Sequence, residues 1–335
     1  MDTKHYTIPI FIPELACPHQ CIFCNQRKIS GQLKVPSPEE VTSIIDEYIN
    51  TISIEDAHVE IAFFGGNFTG IPVEEQMKYL EIVQPYFEKG IKGLRCSTRP
   101  DYITEESVLM LKKYGMNTIE LGAQSMCEEV LVKSGRGHTV ENIITASKII
   151  KDAGIELGLQ MMIGLPGDTL EDSVATANKI VELGADNTRI YPAVVIKGTA
   201  LAEQYEQRKY IPLTLLEAIK YSTKIYKIFE NAGVTILRVG LHPTEGLLSG
   251  DDLIAGPFHH SFRELVYTEL WSERLRPLIA YYDYNGVKIY VPPAEINYAI
   301  GHQARNRNIL KQYYHYVKFV PDPELSGRDF RVDFY

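Results

Sequence analysis

The sequence predicts an α/β protein, a partial (β/α)6 barrel of the TIM type followed by an α+β extension. Three observations carry this. Short apolar runs alternate with amphipathic segments over the first two thirds of the chain, which is the sequence form of βα units around a parallel sheet. The unit repeats six times, where a closed barrel has eight. The pattern then changes at Gly233 with no shift of composition and no low-complexity linker. Residues 1–232 therefore read as a core domain and 233–335 as an extension packed on it.

The first strand is expected near Thr7–Ile12. It follows a polar leader, and the whole start, Met1 to Pro13, lacks the basic region and long apolar core of a signal peptide. Ser37 with Glu40 forms a capping-box pattern for a helix over Glu39–Thr51. The apolar run His58–Phe64 reads as a strand and leads to a helix over Val73–Glu88. Strands over Gly93–Thr98 and Thr118–Gly122 precede helices over Glu105–Lys113 and Met126–Lys133. Thr139 caps a helix over Val140–Ala153 that Gly154 closes. Glu156–Ile163 is the fifth strand, Leu170–Leu183 its helix with Gly184 at the end, and Asn187–Val194 the sixth strand. A long helix over Leu213–Glu230 follows. Beyond it, two β-rich stretches, Thr235–Gly240 and Val287–Pro292, flank helical segments.

At 335 residues, 45% hydrophobic and 23% charged, the chain buries a large core without covalent staples. Of its five cysteines three fall in one motif, and Cys96 and Cys127 are too few for a disulfide framework. A reducing, cytoplasmic compartment is expected. No stretch approaches a membrane span, so no membrane partner is expected. The net charge of −9 argues against nonspecific nucleic-acid coating, and no DNA partner is expected, though a local basic groove stays open.

Cys17, Cys21 and Cys24 stand in the run Cys17-Pro18-His19-Gln20-Cys21-Ile22-Phe23-Cys24, a C-x3-C-x2-C spacing. Three thiolates hold three irons of a [4Fe-4S] cube and leave the fourth iron open to an outside ligand, whereas an electron-carrying cluster normally takes four cysteines. The alternative is a zinc knuckle, which needs a fourth ligand, and only His19 lies close enough in sequence to be one. The spacing, with the aromatic Phe23 before the last cysteine, resembles the radical S-adenosylmethionine superfamily. The resemblance implies Cys17, Cys21 and Cys24 as cluster ligands and S-adenosylmethionine as cosubstrate, bound at the open iron. It also implies reductive cleavage to a 5'-deoxyadenosyl radical that abstracts hydrogen from substrate. An external electron donor of the flavodoxin or ferredoxin type and oxygen sensitivity go with it.

Further motifs fall at predicted strand ends, where the chemistry of a parallel barrel belongs. Gly65-Gly66-Asn67 resembles the family's Gly-Gly-Glu segment, which holds the methionyl amino group, with Asn67 in place of the acid; taken alone it is a turn. Ser97-Thr98-Arg99-Pro100-Asp101-Tyr102 resembles the Elongator catalytic-subunit branch, where the residue at Ser97 faces the ribose. Gln124, in Gly122-Ala123-Gln124-Ser125, and Arg136, in Gly135-Arg136-Gly137-His138, resemble elements of the coproporphyrinogen dehydrogenase-like and Elongator-like branches. These imply ribose binding by Gln124 and a methionyl carboxylate held by Arg136, whose planar fork suits a carboxylate; otherwise Arg136 is a solvated loop charge. Gly164-Leu165-Pro166-Gly167-Asp168-Thr169 is similar to the adenine-pocket signature. Gln160 stands where the coproporphyrinogen branch has an aspartate. The resemblance runs from about Tyr6 to Leu201 and ends in the Gly198-Thr199 turn.

Substrate choice is expected in the extension. His242, His259 and His260, with Arg238 and Arg263, form a polar set fit to bind an anion or to act as acid and base; a hydrogen-bonded packing cluster is the other reading. Asn297–Pro321 interleaves Arg305, Arg307, Lys311 and Lys318 with Tyr313, Tyr314 and Tyr316 and has no acid, a composition that suits RNA or a solvated helix face. No counterpart of the Elongator subunit's acetyltransferase domain follows, so acetyl transfer is not expected of this chain alone. The function expected is radical hydrogen abstraction, from a tRNA nucleoside or from a small anionic, porphyrin-like metabolite. A non-catalytic iron-sulfur or zinc scaffold is the remaining alternative.

Overall fold

The computed structural model describes residues 4–12, 21–25, 34–281 and 283–335. Seven strands pair in parallel: β1 (Lys4–Phe11), β2 (Ala57–Phe64), β3 (Gly93–Thr98), β4 (Met116–Gln124), β5 (Glu156–Ile163), β6 (Asn187–Pro192) and, after the two-residue β7 (Val195–Ile196), β8 (Thr235–Val239). Their order in space, β1-β2-β3-β4-β5-β6-β8, follows the chain, and the sheet curls into the predicted partial barrel. Parallel neighbours require crossovers, which helices α1 (Pro38–Ile49), α2 (Val73–Val83), α3 (Glu105–Lys113), α4 (Glu128–Lys133), α5 (Val140–Asp152), α6 (Leu170–Glu182), α7 (Ala200–Glu206) and α8 (Leu215–Asn231) supply.

The helix starts follow from side-chain caps. Ser37 accepts from the Glu40 backbone while Glu40 reaches back to Ser37, and Thr139 with Asn142 does the same at α5. Gly154 and Gly184 take left-handed φ values of 70° and 71° just past α5 and α6. The expected helix Val73–Glu88 is broken in two, because Pro85 has no N–H to continue the ladder; it restarts as the turn Pro85–Glu88.

The barrel has seven strands where the sequence predicts six. The added strand, β8, comes from Thr235–Val239 in the predicted extension and pairs with β6 through Arg189↔Arg238 and Ile190↔Val239. It is an edge strand with one neighbour and carries an arginine, so it lacks the continuous apolar run that marks buried parallel strands. After it come α9 (Glu245–Ser249), β9 (Leu253–Ala255), which pairs antiparallel with β7, and α10 (Phe262–Leu275). Beyond them lie β10 (Gly286–Val291), α11 (Ile296–Ile300), α12 (Arg305–Leu310), β11 (Tyr316–Pro321) and β12 (Arg331–Phe334). These last strands form a separate sheet, β11-β10-β12, with its own core around Trp271, Val287, Ile289 and Tyr314.

Strand alternation gives the barrel two unlike faces. Ile8, Ile10, Ile61, Phe63, Leu121 and Leu159 belong to one apolar cluster with helix residues such as Val41 and Ile45. With a period of two, the intervening positions Glu60, Arg95, Glu120, Gln160 and Arg189 point to the opposite, inner face. Among the described residues no helix is long and apolar enough to cross a membrane.

Candidate functional site

Cys17 and His19 lie outside the described residues; Cys21 and Cys24 lie within them. The turn carrying the two is tied down from three directions. Ile22 donates its N–H to the Ser134 carbonyl at 3.2 Å, Leu201 donates to the Ile22 carbonyl at 2.7 Å, and Cys24 N–H closes on the Cys21 carbonyl at 3.0 Å. Phe23 packs against Val195, Leu201 and Tyr210 on one side and Leu165 and Ala193 on the other. The predicted aromatic thus anchors the cysteine turn at the carboxyl ends of β5 and β6.

Gly65, at the end of β2, has φ +126°, and a Cβ there would lie 2.0 Å from the Ile12 carbonyl oxygen. The missing side chain lets the backbone of Ile12, just past β1, lie directly against Gly65. Ile12 N–H donates to the Phe64 carbonyl at 2.7 Å to fix that approach. Asn67, 4% exposed, accepts from the Thr98 hydroxyl at 2.6 Å and from the Arg99 N–H at 3.2 Å. An amide oxygen suffices for both bonds, so at this position the role of tying β2 to β3 does not need the family's acid.

Arg136 stands beside Cys21. One terminal nitrogen donates to the Cys21 Sγ at 3.2 Å and the other to the Gly122 carbonyl at 2.6 Å. It is 7% exposed, and its buried Nε has no partner among the described residues. Gly122 makes room for it, since a Cβ there would lie 3.2 Å from the guanidinium and 2.8 Å from the Gln124 amide nitrogen. Gln124 has φ +67°, at a register shift between β4 and β5. Left-handed backbone at a non-glycine residue is strained, and such strain concentrates at ligand sites. Arg99 holds Arg136 from behind by donating to its carbonyl at 2.8 Å, and is itself gripped by Asp101 through two bonds of 2.8 and 2.9 Å. Burial first, then the charges of Arg136 and Arg99, push His138 down to about 3, so its ring is neutral at physiological pH.

The inner face carries a chain of buried charges that the sequence reading passed over. Glu60 takes Arg95 at 3.2 Å, Arg95 reaches Glu120 at 3.0 Å, and Arg189 grips Glu120 at 2.6 and 3.0 Å. Gln160 donates to Glu120 at 2.9 Å and lies 3.4 Å from the Ser97 hydroxyl, so these two predicted residues adjoin each other and the charge chain. Burial by itself would raise the Glu120 carboxyl, but Arg189, Arg95 and Gln160 together hold it below the usual range. The available signal was charged residues at alternate positions within otherwise apolar strands. Asp168 was passed over too: burial raises it to about 6, against bonds from Ser173 at 2.8 Å and the Gly164 N–H at 2.7 Å.

The predicted histidines divide into two groups. His242, just past β8, lies 3.4 Å from Arg238, and burial with that arginine's charge lowers its pKa. His259 and His260 stack at 4.6 Å, and His302 meets His259 edge-on at 5.5 Å. Gly256, which leads to His259, lies against Val194 and Ala193 at the end of β6. Gln303 and Ala304, both with positive φ, follow His302 directly. In the basic stretch, Arg305 pairs with Glu269 at 2.9 Å, while Tyr314 is core.

A family model described as the Radical SAM superfamily matches residues 12–180, and one described as the Radical SAM C-terminal domain matches residues 185–272. An uncharacterised protein of Methanocaldococcus jannaschii is 33% identical over 220 residues, covering 62% of this chain and 66% of that protein. A tRNA uridine(34) acetyltransferase of Methanocaldococcus infernus is 30% identical over 244 residues, 61% of this chain and 46% of the relative. The heme chaperone HemW of Bacillus subtilis is 27% identical over 220 residues, 63% of this chain and 57% of HemW. The chain therefore spans between 46% and 66% of these relatives' lengths. Among solved structures, the archaeal Elp3 of Methanocaldococcus infernus, lacking residues 1–46, superposes with a TM-score of 0.62 at 21% identity over 82% of this chain and 64% of that one, a likeness of fold.

Proposed function

Because the chain belongs to the radical S-adenosylmethionine superfamily, in its Elongator- and HemN-like branch, we propose that it abstracts hydrogen from a tRNA nucleoside. The class itself follows from the family: it is a radical S-adenosylmethionine enzyme that binds a [4Fe-4S] cluster and S-adenosylmethionine and draws its electron from a reductant. When bound, the cluster would supply the one electron that cleaves S-adenosylmethionine to methionine and a 5'-deoxyadenosyl radical.

The protein's own residues take the following parts in this reading. Cys17, Cys21 and Cys24 are the cluster ligands, and the strapped turn around Phe23 holds the latter two in place. Arg136 presents its unclaimed Nε to an anionic group beside Cys21, and this placement is the observation that carries the reading. Its N–H on the Cys21 sulfur would also tune the potential of a cluster held there. Gly65, Gly66 and Asn67, at the end of β2, take the methionyl amino group, while Gln124, Ser97 and Gln160 form the polar wall of the inner face. The electron donor is of the flavodoxin or ferredoxin type, and the compartment is the reducing cytoplasm.

Support for tRNA is the relative named a tRNA uridine(34) acetyltransferase, which matches this chain over 244 residues. Acetyl transfer is not part of the proposal. A second reading, a small anionic substrate, is favoured by the register that sets Arg189 beside Arg238, with His242 against Arg238. The two are separated by feeding the reduced, cluster-loaded protein either bulk tRNA or a tRNA-free metabolite fraction and measuring 5'-deoxyadenosine. Stimulation by tRNA, with a mass change in a digested nucleoside, is expected. Stimulation by the metabolite fraction alone selects the second reading.

A further inference from the structure

We propose a second metal site at the amino ends of β1 and β2, at which His5, His58 and Glu60 bind one divalent transition ion of the Zn2+ type. Parallel register sets His5 directly opposite His58, and Glu60 follows two residues on, on the same face. Their ligand atoms all lie within 4.8 Å of one another, and His58 Nε2 is 3.4 Å from Glu60 Oε1. Two imidazoles and one carboxylate are a borderline donor set that suits Zn2+ and its neighbours, with open positions left for water.

The carboxylate is already oriented for this role. Glu60 is 3% exposed, and its Oε2 is held by Arg95 Nε and Nη2 at 3.3 and 3.2 Å, which leaves Oε1 turned toward the histidines. A ligating carboxylate whose other oxygen is fixed by a hydrogen-bond donor is the usual support of a metal site. The two rings are stacked at 4.4 Å and 19°, so their lone pairs run side by side rather than converging. Capture requires one ring to leave the stack, and His5 is the exposed one of the two. From His5 to Ile12 the strand rises about 23 Å at roughly 3.3 Å per residue, which separates this site from the cysteines at the other end of the sheet.

The test uses anaerobically reconstituted protein with its cluster in place, so that the cysteines are occupied, freed of loose metal by a chelator. Titration with Zn2+ by calorimetry is expected to show one ion per chain, and Zn2+ to raise the melting temperature. His5→Ala and His58→Ala should each weaken binding on the order of a hundred-fold and abolish the melting shift, with cluster absorption unchanged. Co2+ in place of Zn2+ should give visible bands without sulfur-to-metal charge transfer. No uptake, uptake unaltered in His5→Ala, or a sulfur signature would overturn the proposal. Because His5 is exposed, its variant keeps the test valid should His58→Ala fail to fold.

Discussion

Gly65 is the residue on which the close approach of Ile12, just past β1, depends. Any side chain there meets the Ile12 carbonyl and a positive φ at once, and neither can yield without moving β1. Gly65→Ala is therefore expected to lower stability by about 2–4 kcal/mol and to reduce iron incorporation, read by thermal melting and iron analysis. A variant that melts with the wild type and holds a full complement of iron would refute that reading. The glycine pair was legible in the sequence through the family segment it resembles. Arg99 was not: in the sequence it is only part of a motif that resembles the Elongator branch, and only the fold shows it donating to the Arg136 carbonyl.

At the scale of elements, the strands carry a charge chain across the inner face of the sheet. Glu120, 1% exposed, is shared by Arg95 from β3 and Arg189 from β6. Removing one member of a buried network leaves an uncompensated charge, so Glu120→Gln should cost about 3–5 kcal/mol. Glu182→Gln, which breaks the exposed pair with Lys179, should stay within about 1 kcal/mol in the same urea titration. Equal effects would mean that the inner face is wetter than its packing indicates. The strand periods showed where the sheet lies, and the caps at Ser37 and Thr139 showed where helices begin. Thr235–Gly240 reads as β-rich in the sequence, but as part of the extension; that it joins the barrel as a seventh strand shows only in its pairing with β6.

The whole molecule places its parts by the rule of parallel sheets. Gly65 and Gln124 stand at the ends of β2 and β4, Arg136 reaches Cys21 from beside Gly122, the cysteine turn is anchored at the ends of β5 and β6, and Gly256, three residues before His259, lies against the end of β6. Spacing singled out the three cysteines as cluster-ligand candidates, whereas the glycines, a mere turn when taken alone, stood out only through the resemblance of the motifs around them. What the histidines do was not legible, because polar residues in an extension serve packing and binding equally well until a partner is known. The claim on which the rest depends is that Cys21 and Arg136 form one cofactor-binding unit. The direct measurement is anaerobic: reconstitute with iron and sulfide, add dithionite and S-adenosylmethionine, and quantify 5'-deoxyadenosine in wild type, Cys21→Ala and Arg136→Ala. The wild type should form it, Cys21→Ala should not, and Arg136→Ala should keep its cluster absorption while losing about ten- to a hundred-fold in rate at low cosubstrate, the worth of a charge-assisted bond. An Arg136→Ala protein as fast as the wild type, or a wild type that binds zinc and cleaves nothing, would contradict the account.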